Sequence, residues 1–145
     1  MSEKLNPEIP KWLEIAHAEL GTKEIKGKKH EPQIVEYHQT TSLHAQDDET
    51  PWCSSFVNWC MKEAGYKGTY KANARSWLKW GYMISTPAFG CVAVLSRGNP
   101  KGWQGHVAFY VGQTKDHVLL LGGNQGDQVS IQKYPKSRVL GYRWP

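Results

Sequence analysis

The stretch 50–65, TPWCSSFVNWCMKEAG, has the clearest helical periodicity in the chain. Its apolar side chains recur every three or four residues, at Cys53, Phe56, Val57, Cys60, Met61 and Ala64. This spacing is typical of one buried face of an α-helix. Thr50 is a good N-cap, Pro51 suits the first helical position, and Gly65 provides a stop. We therefore predict a helix in which Cys53 lies in the first turn, at position N3.

Helical signals also dominate the rest of the first half of the chain, whereas the second half has strand signals. Helices are predicted at 10–21, 32–38 and 73–81. From residue 89 onward, β-rich runs separated by turn residues predict strands at 91–95, 106–112, 118–122, 129–131 and 139–144. This order predicts an α+β domain, with N-terminal helices packed on a five- to six-stranded antiparallel sheet.

Length and composition indicate the broad class of protein. The 145 residues match one ordinary domain, 1–145, and 39% hydrophobic with 21% charged residues is typical of a folded globular chain. Three cysteines leave one unpaired in any disulfide scheme, and their spacing matches no common zinc site. We therefore expect reduced thiols, no metal and no cofactor.

The net charge of +5 would suit an anionic partner such as nucleic acid, a membrane surface or an acidic wall polymer. The basic residues are scattered, and the densest cluster, at 26–29, is typical of a solvated loop. No apolar run is long enough to span a bilayer. We expect neither a nucleic-acid partner nor a transmembrane segment.

Cys53 is a candidate nucleophile because of its position in the helix. A thiol attacks a carbonyl as the thiolate, and the first turn of a helix lowers a thiol pKa through its partial positive charge and free N–H groups. The same N–H groups can hold a developing oxyanion. The alternative is an inert core cysteine, since Cys53 shares the apolar phase of its helix. Cys60 and Cys91 are predicted to be core residues.

A candidate general base, His106, opens the predicted strand 106–112. The alternate residues Val107, Phe109 and Val111 share one face, so the imidazole belongs to the other face. The alternative is a structural histidine at a strand end, satisfied by the backbone.

The residue that orients His106 depends on the register of the following hairpin. A three-residue loop at 114–116 would place His106 opposite Asn124, whose amide would then hold the imidazole. A two-residue loop would place Gln125 there instead. Asp127 is a weaker candidate for the same role.

Four stretches of the chain together resemble the CHAP and NlpC-type cysteine peptidase families, and most closely a small phage- and secretion-associated branch of them. The stretches are PWCSSFVNWC at 51–60, ARSW at 74–77, GHVAFYVG at 105–112 and GGNQGD at 122–127. The resemblance implies a papain-like fold and hydrolysis of a peptidoglycan amide bond. It also implies Cys53 as nucleophile, His106 as base and Asn124 as the third member.

Five side chains are candidate substrate contacts: Trp52, Ser54, Trp103, Gln125 and Asp48. Trp52 is adjacent to the proposed nucleophile and Trp103 lies in the loop before the base, so either could stack on a sugar ring. Asp48 precedes the central helix, where it would contact substrate amines or interact with the helix N-terminus.

The resemblance further implies peptidoglycan as the substrate and a role as a phage lysin or antibacterial toxin. A toxin would also need an inhibitor (immunity) protein and delivery machinery. The N-terminus shows no signal-peptide core, so we expect synthesis in the cytoplasm and action in the periplasm or cell wall after delivery by a non-Sec route. We expect a monomer. The rival hypotheses are a catalytically inactive wall-binding module and a cysteine acyltransferase.

Overall fold

A computed structural model of the chain describes residues 9–25, 30–43 and 51–145. Within these ranges, three α-helices precede the sheet: α1 (Lys11–Ala18), α2 (Pro32–His38) and α3 (Cys53–Glu63). The predicted short helix at 73–81 is a 3₁₀ helix, Ala74–Lys79. Within the described ranges, no helix is long and apolar enough to cross a membrane.

The central helix α3 begins later than its sequence predicts. Trp52 is the N-cap, without a side-chain capping bond, and Cys53 is the first helical residue. The Phe56 N–H donates to the Trp52 carbonyl at 2.9 Å, which closes the first turn. The predicted cap, Thr50, lies outside the described residues. Cys53 is thus at position N1 rather than N3, still within the first turn.

In the part of the chain that the structure describes, six antiparallel strands form one sheet in the order β1-β6-β2-β3-β4-β5. The strands are β1 (Tyr82–Ile84), β2 (Val92–Ser96), β3 (Gly105–Gln113), β4 (His117–Gly122), β5 (Ser130–Pro135) and β6 (Val139–Trp144), with a second 3₁₀ turn at Lys136–Arg138. The predicted α+β architecture is confirmed. The sequence did not predict β1, because this edge strand has only three residues and two of them are exposed.

The sheet separates two apolar layers. One face packs against the helices, and the β2 and β3 residues on this face are Val92, Val94, Val107 and Phe109. The other face carries a smaller cluster that includes Ala93, Leu95, Ala108 and Tyr110. The alternation along β3 that the sequence predicts is therefore present, because neighbouring strand residues point to opposite faces.

The hairpin between β3 and β4 differs from the predicted one. Gln113 pairs with Val118, and the Thr114 N–H donates to the His117 carbonyl at 2.8 Å, so the loop has two residues and not three. A bulge between Tyr110 and Gly112 then shifts the register back by one residue. The position opposite His106 consequently depends on both the loop and the bulge.

Candidate active site

Cys53 lies at the base of a small cleft of about 150 Å³ whose wall includes Arg97, Trp103 and Gly105. Only 6% of the Cys53 surface is exposed. Backbone N–H groups of Cys53, Ser54 and Val107 approach the sulfur and lower the pKa of the thiol. The Val107 contact brings the start of α3 against the start of β3.

Burial nevertheless dominates the charge state of this sulfur. Desolvation raises the pKa of the Cys53 thiol above its ordinary value, and the N–H groups together with the nearby Arg97 only partly offset it. The expectation that the helix start would make this sulfur anionic is wrong for the resting protein. Cys53 rests as a protonated thiol at neutral pH.

His106 is buried and bonded to Gln125. The imidazole Nε2–H donates to Oε1 of Gln125 at 2.8 Å. The Gln125 amide cannot be turned around, because its Nε2 donates to the carbonyls of Leu120 (3.2 Å) and Ser130 (2.7 Å). The neutral ring therefore carries its proton on Nε2 and its lone pair on Nδ1.

The Nδ1 atom of His106 is the ring nitrogen that remains able to accept a proton. It is buried and has no hydrogen-bond partner in the part of the chain that the structure describes. A buried unpartnered nitrogen costs stability, and such groups occur at catalytic sites, where a reacting partner completes the bond.

The imidazole is held in its neutral form. Burial lowers the pKa of His106 to about 4, the Gln125 bond opposes this shift, and the positive charges of Arg97 and Arg138 reinforce it. The resting pair is accordingly a thiol and a neutral imidazole.

Asn124, the predicted orienting residue, does not hold His106. Strand β4 ends at Gly122, and Asn124 lies beyond it in a left-handed turn conformation with φ 58°. The chain there leaves the strand, so counting along the ladder no longer gives the neighbour of His106. Gln125 reaches the ring instead, and the prediction of Asn124 is corrected to Gln125.

Two adjacent glycines let this turn approach both halves of the site. A Cβ on Gly122 would lie 2.6 Å from the Ala108 Cβ and 2.9 Å from Oε1 of Gln125. A Cβ on Gly123 would lie 2.6 Å from the Trp52 ring. Larger residues would therefore displace the Gln125 amide or the residue that precedes the nucleophile.

Tyr134 on β5 covers His106, a contact that the sequence did not predict. Its hydroxyl lies 3.4 Å from Nε2 of His106, and the two ring centroids are 5.3 Å apart. Arg138 lies over the Tyr134 ring at 5.3 Å. The predicted strand ended at residue 131, four residues short of the end of β5 at Pro135, and so did not include this tyrosine.

Among the predicted substrate contacts, Trp103 is placed to meet a ligand. Its side chain is 77% exposed and lies on the wall of the Cys53 cleft. Asp48 lies outside the described residues. Gln125 is buried against His106, so it orients the base and does not contact substrate.

Trp52 and Ser54 are buried structural residues, and their prediction as substrate contacts is wrong. Trp52 stacks on Tyr37 at 5.8 Å and its indole N–H donates to Glu24 at 2.8 Å. The Ser54 hydroxyl donates to the Lys71 carbonyl at 2.6 Å and accepts from the Trp77 indole at 2.9 Å. Both side chains anchor the start of α3, which sequence position alone does not reveal.

Arg75 holds the loop that carries Trp103. Its guanidinium donates to the carbonyls of Gln104 (2.7 Å), Pro100 (2.8 Å) and Asn99 (2.9 Å). Three bonds from one planar group fix the loop in one orientation beside Cys53. The ARSW stretch contains this arginine, but its partners are distant in sequence and could not be predicted.

Among the described residues, no group of three or more His, Cys, Asp or Glu side chains is arranged to hold a metal ion. The residues that do converge are a thiol, an imidazole, an amide and the Arg97 guanidinium, which lowers the pKa values of Cys53, His106 and Tyr134 alike. Such a set can perform proton transfer and nucleophilic attack.

Known proteins resemble this chain in fold and in family. The structure of the peptidoglycan hydrolase RipB from Mycobacterium tuberculosis matches with a TM-score of 0.55 at 15% identity, over 91% of this chain and 61% of that one. This likeness shows a shared papain-like fold, and the chain spans less than two thirds of the RipB chain. No curated protein matches the sequence. The CHAP domain family model matches residues 45–124, more than half of the chain, and this protein therefore belongs to the CHAP domain family.

Proposed function

We propose that this protein is a cysteine hydrolase that cuts an amide bond in bacterial peptidoglycan. Support comes from its membership of the CHAP family and from the fold that it shares with RipB, which is a peptidoglycan hydrolase. The observation that carries the proposal is the state and position of the His106 ring. Gln125 fixes its tautomer, and its Nδ1 has no hydrogen-bond partner among the described residues. The next residue, Val107, contacts the Cys53 sulfur through its backbone N–H.

In the proposed mechanism, Cys53 attacks while His106 removes its proton. The Sγ–H proton passes to Nδ1 of His106 as the sulfur bonds to the amide carbon. The carbonyl oxygen becomes an oxyanion, held by the free N–H groups at the start of α3. The imidazolium then gives its proton to the leaving amine, which leaves a thioester on Cys53. Water, deprotonated by His106, hydrolyses the thioester to a carboxylic acid and restores the thiol.

A neutral resting pair suits this sequence of steps. The lone pair on Nδ1 is available at neutral pH because the pKa of His106 is lowered to about 4. The Gln125 oxygen accepts from Nε2 both before and after protonation, so it also stabilises the imidazolium. Protonation of Nδ1 therefore does not require the bond to Gln125 to break.

Two classes of amide bond fit the proposal. The exposed Trp103 on the cleft wall can stack on a sugar ring, which would favour the bond between the glycan and the stem peptide. Cleavage within the stem peptide is the other possibility. Mass spectrometry of the released muropeptides distinguishes the two, because each cut leaves a different pair of new termini.

The test compares purified sacculi treated with wild type, Cys53→Ala and Cys60→Ala. Cys60 lies on the same helix but is fully buried in the core, so Cys60→Ala is the matched control for loss of a thiol. We expect fragments from wild type and Cys60→Ala, and none from Cys53→Ala. Equal digestion by all three proteins would remove Cys53 from the mechanism, and a binding module would release no fragments at all. Products bearing an added amine would indicate an acyltransferase instead.

We further propose that the protein acts as a lysin or toxin once it reaches the wall. Its substrate would lie outside the cytoplasmic membrane, so expression with an added export leader should lyse a Gram-negative host. Expression without the leader should not, and an exported Cys53→Ala protein should be harmless. Survival of cells that export the wild type, in soluble form, would contradict this role.

A further inference from the structure

A second cleft, of about 360 Å³, adjoins the Cys53 cleft. Its lining residues come from the 3₁₀ helix and from the residues just before and after it: Thr69, Lys71, Asn73, Arg75, Ser76, Lys79 and Trp80. Asn73 lines both clefts, so the two share a wall. We call this second depression the basic cleft.

The charged side chains in the described lining of the basic cleft and of the Cys53 cleft are all basic. None of the described residues that line either cleft is acidic. The sequence from 64 to 115 contains no Asp or Glu, although it contains seven basic residues: Lys67, Lys71, Arg75, Lys79, Arg97, Lys101 and Lys115. The described lining of the two adjoining clefts is therefore electropositive and reaches Arg97 beside Cys53, and a surface of this charge attracts anions.

Lys71 is held in a fixed position relative to the nucleophile. Its carbonyl accepts hydrogen bonds from the Ser54 hydroxyl at 2.6 Å and from the Asn58 amide at 3.3 Å. Both donors belong to α3, and Ser54 directly follows Cys53. The Lys71 side chain is exposed, so its ammonium group is available while its backbone is fixed.

The other walls of the basic cleft are also preformed. The Trp80 indole donates to the Lys67 carbonyl at 2.7 Å and packs edge-on against Trp77 at 4.8 Å. The Ser76 hydroxyl donates to Thr69 at 2.9 Å. A ligand that enters this cleft therefore does not have to order its walls, which lowers the entropic cost of binding.

We propose that the basic cleft is a subsite for the carboxylate groups of the peptidoglycan stem peptide. The proposal rests on the proposed function, and it assigns the charged part of the substrate to Lys71 and Lys79. Their ammonium groups donate to the carboxylate, and Trp80 covers the apolar stem of the ligand side chain. Arg75 adds positive charge, and three of its five N–H donors are bonded to the Trp103 loop.

The test measures binding by the full-length Cys53→Ala protein, which cannot consume its ligand. Calorimetry at low salt compares a soluble muropeptide with free stem carboxylates and the same muropeptide after its carboxylates are amidated. We expect amidation to weaken binding about three- to tenfold, a preference that shrinks as salt is added. Lys71→Met with Lys79→Met should weaken binding of the carboxylate form similarly and leave the amidated form unchanged.

Lys115→Met is the matched control, because it removes one exposed charge at the tip of the β3–β4 hairpin, away from the lining of the basic cleft. Equal affinity for the two muropeptides, no detectable binding, or an equal loss in Lys115→Met would each overturn the subsite. Digestion of sacculi by wild type tests the proposed function separately. If wild type digests sacculi but the binding assay shows no preference for the carboxylate form, only the subsite is refuted. If the carboxylate form is preferred but wild type does not digest sacculi, only the hydrolase function is refuted.

Discussion

At the scale of single residues, the amide of Gln125 determines where His106 carries its proton. Its nitrogen donates to two backbone carbonyls, so its oxygen must face the ring. Because these two bonds hold the amide in place, its oxygen is a fixed hydrogen-bond acceptor for the imidazole N–H. In contrast, Asn124 lies in the turn and has no hydrogen bond to the ring among the described residues.

We predict that Gln125→Ala lowers kcat about 100-fold, because the imidazole loses the acceptor that selects its tautomer. Asn124→Gly, which tolerates the same left-handed backbone, should keep near-normal kcat. Steady-state assays on soluble muropeptides check both variants. A larger loss in Asn124→Gly than in Gln125→Ala would restore Asn124 as the third member.

The acid limb of the rate profile should reflect the buried imidazole. The pKa of His106 is lowered to about 4, and a protonated ring cannot accept the Cys53 proton. We therefore predict that kcat/KM falls as the pH drops through about 4, rather than near the ordinary value of about 6.5. A fall in kcat/KM near pH 6.5 would contradict the prediction, because it would show that burial does not lower the pKa of His106.

At the scale of elements, the β3–β4 hairpin and the turn after it assemble the base. The bulge and the two-residue loop set the strand register, and Gly122 leaves room for the Gln125 side chain. The same turn packs against Trp52, one residue before the nucleophile. One short segment thus positions both reacting groups.

We predict that Gly122→Ala lowers kcat and the melting temperature, because the added methyl would lie 2.6 Å from the Ala108 Cβ and 2.9 Å from the Gln125 amide oxygen. Gly112→Ala is the control in the same hairpin, since its methyl would meet only Leu119 at 3.4 Å. Overpacking of this kind costs about 1–3 kcal/mol. Equal activity of the two variants would show that the turn adjusts without moving Gln125.

At the scale of the whole molecule, the sheet, the helices and the loop of Trp103 bury both reacting groups almost completely. This burial keeps the thiol and the imidazole neutral, and it makes the stability of the fold depend on pH. An unfolded histidine binds a proton below about pH 6.5, whereas His106 in the folded protein does so only near pH 4.

We predict that His106 lowers the free energy of unfolding as the pH falls from about 6.5 to 4, because the unfolded chain binds the proton first. A shift of the pKa to about 4 corresponds to about 3 kcal/mol over this range. Denaturant unfolding at several pH values should show a smaller slope in His106→Gln than in wild type. The exposed His17→Gln is the control, and equal slopes in His106→Gln and wild type would contradict the prediction.

The features that local sequence predicts correctly are those that depend on periodicity along the chain. The apolar spacing within 53–64 predicted α3, the alternation in 106–112 predicted β3, and the order of elements predicted the α+β class. Cys53 at a helix start and His106 at a strand start also followed from local sequence. These features could be predicted because each one arises from residues close together in the chain.

The side chains that surround the reacting groups are set by long-range packing and could not be predicted from local sequence. The turn after the end of β4 selected Gln125 over Asn124, although the bulge restores a register in which counting along the strands would favour Asn124. Packing buried Trp52 and left Trp103 exposed. Burial also overrode the helix start and left Cys53 protonated. The physical reason is that register, burial and desolvation depend on contacts between residues far apart in the chain, and no local pattern encodes them.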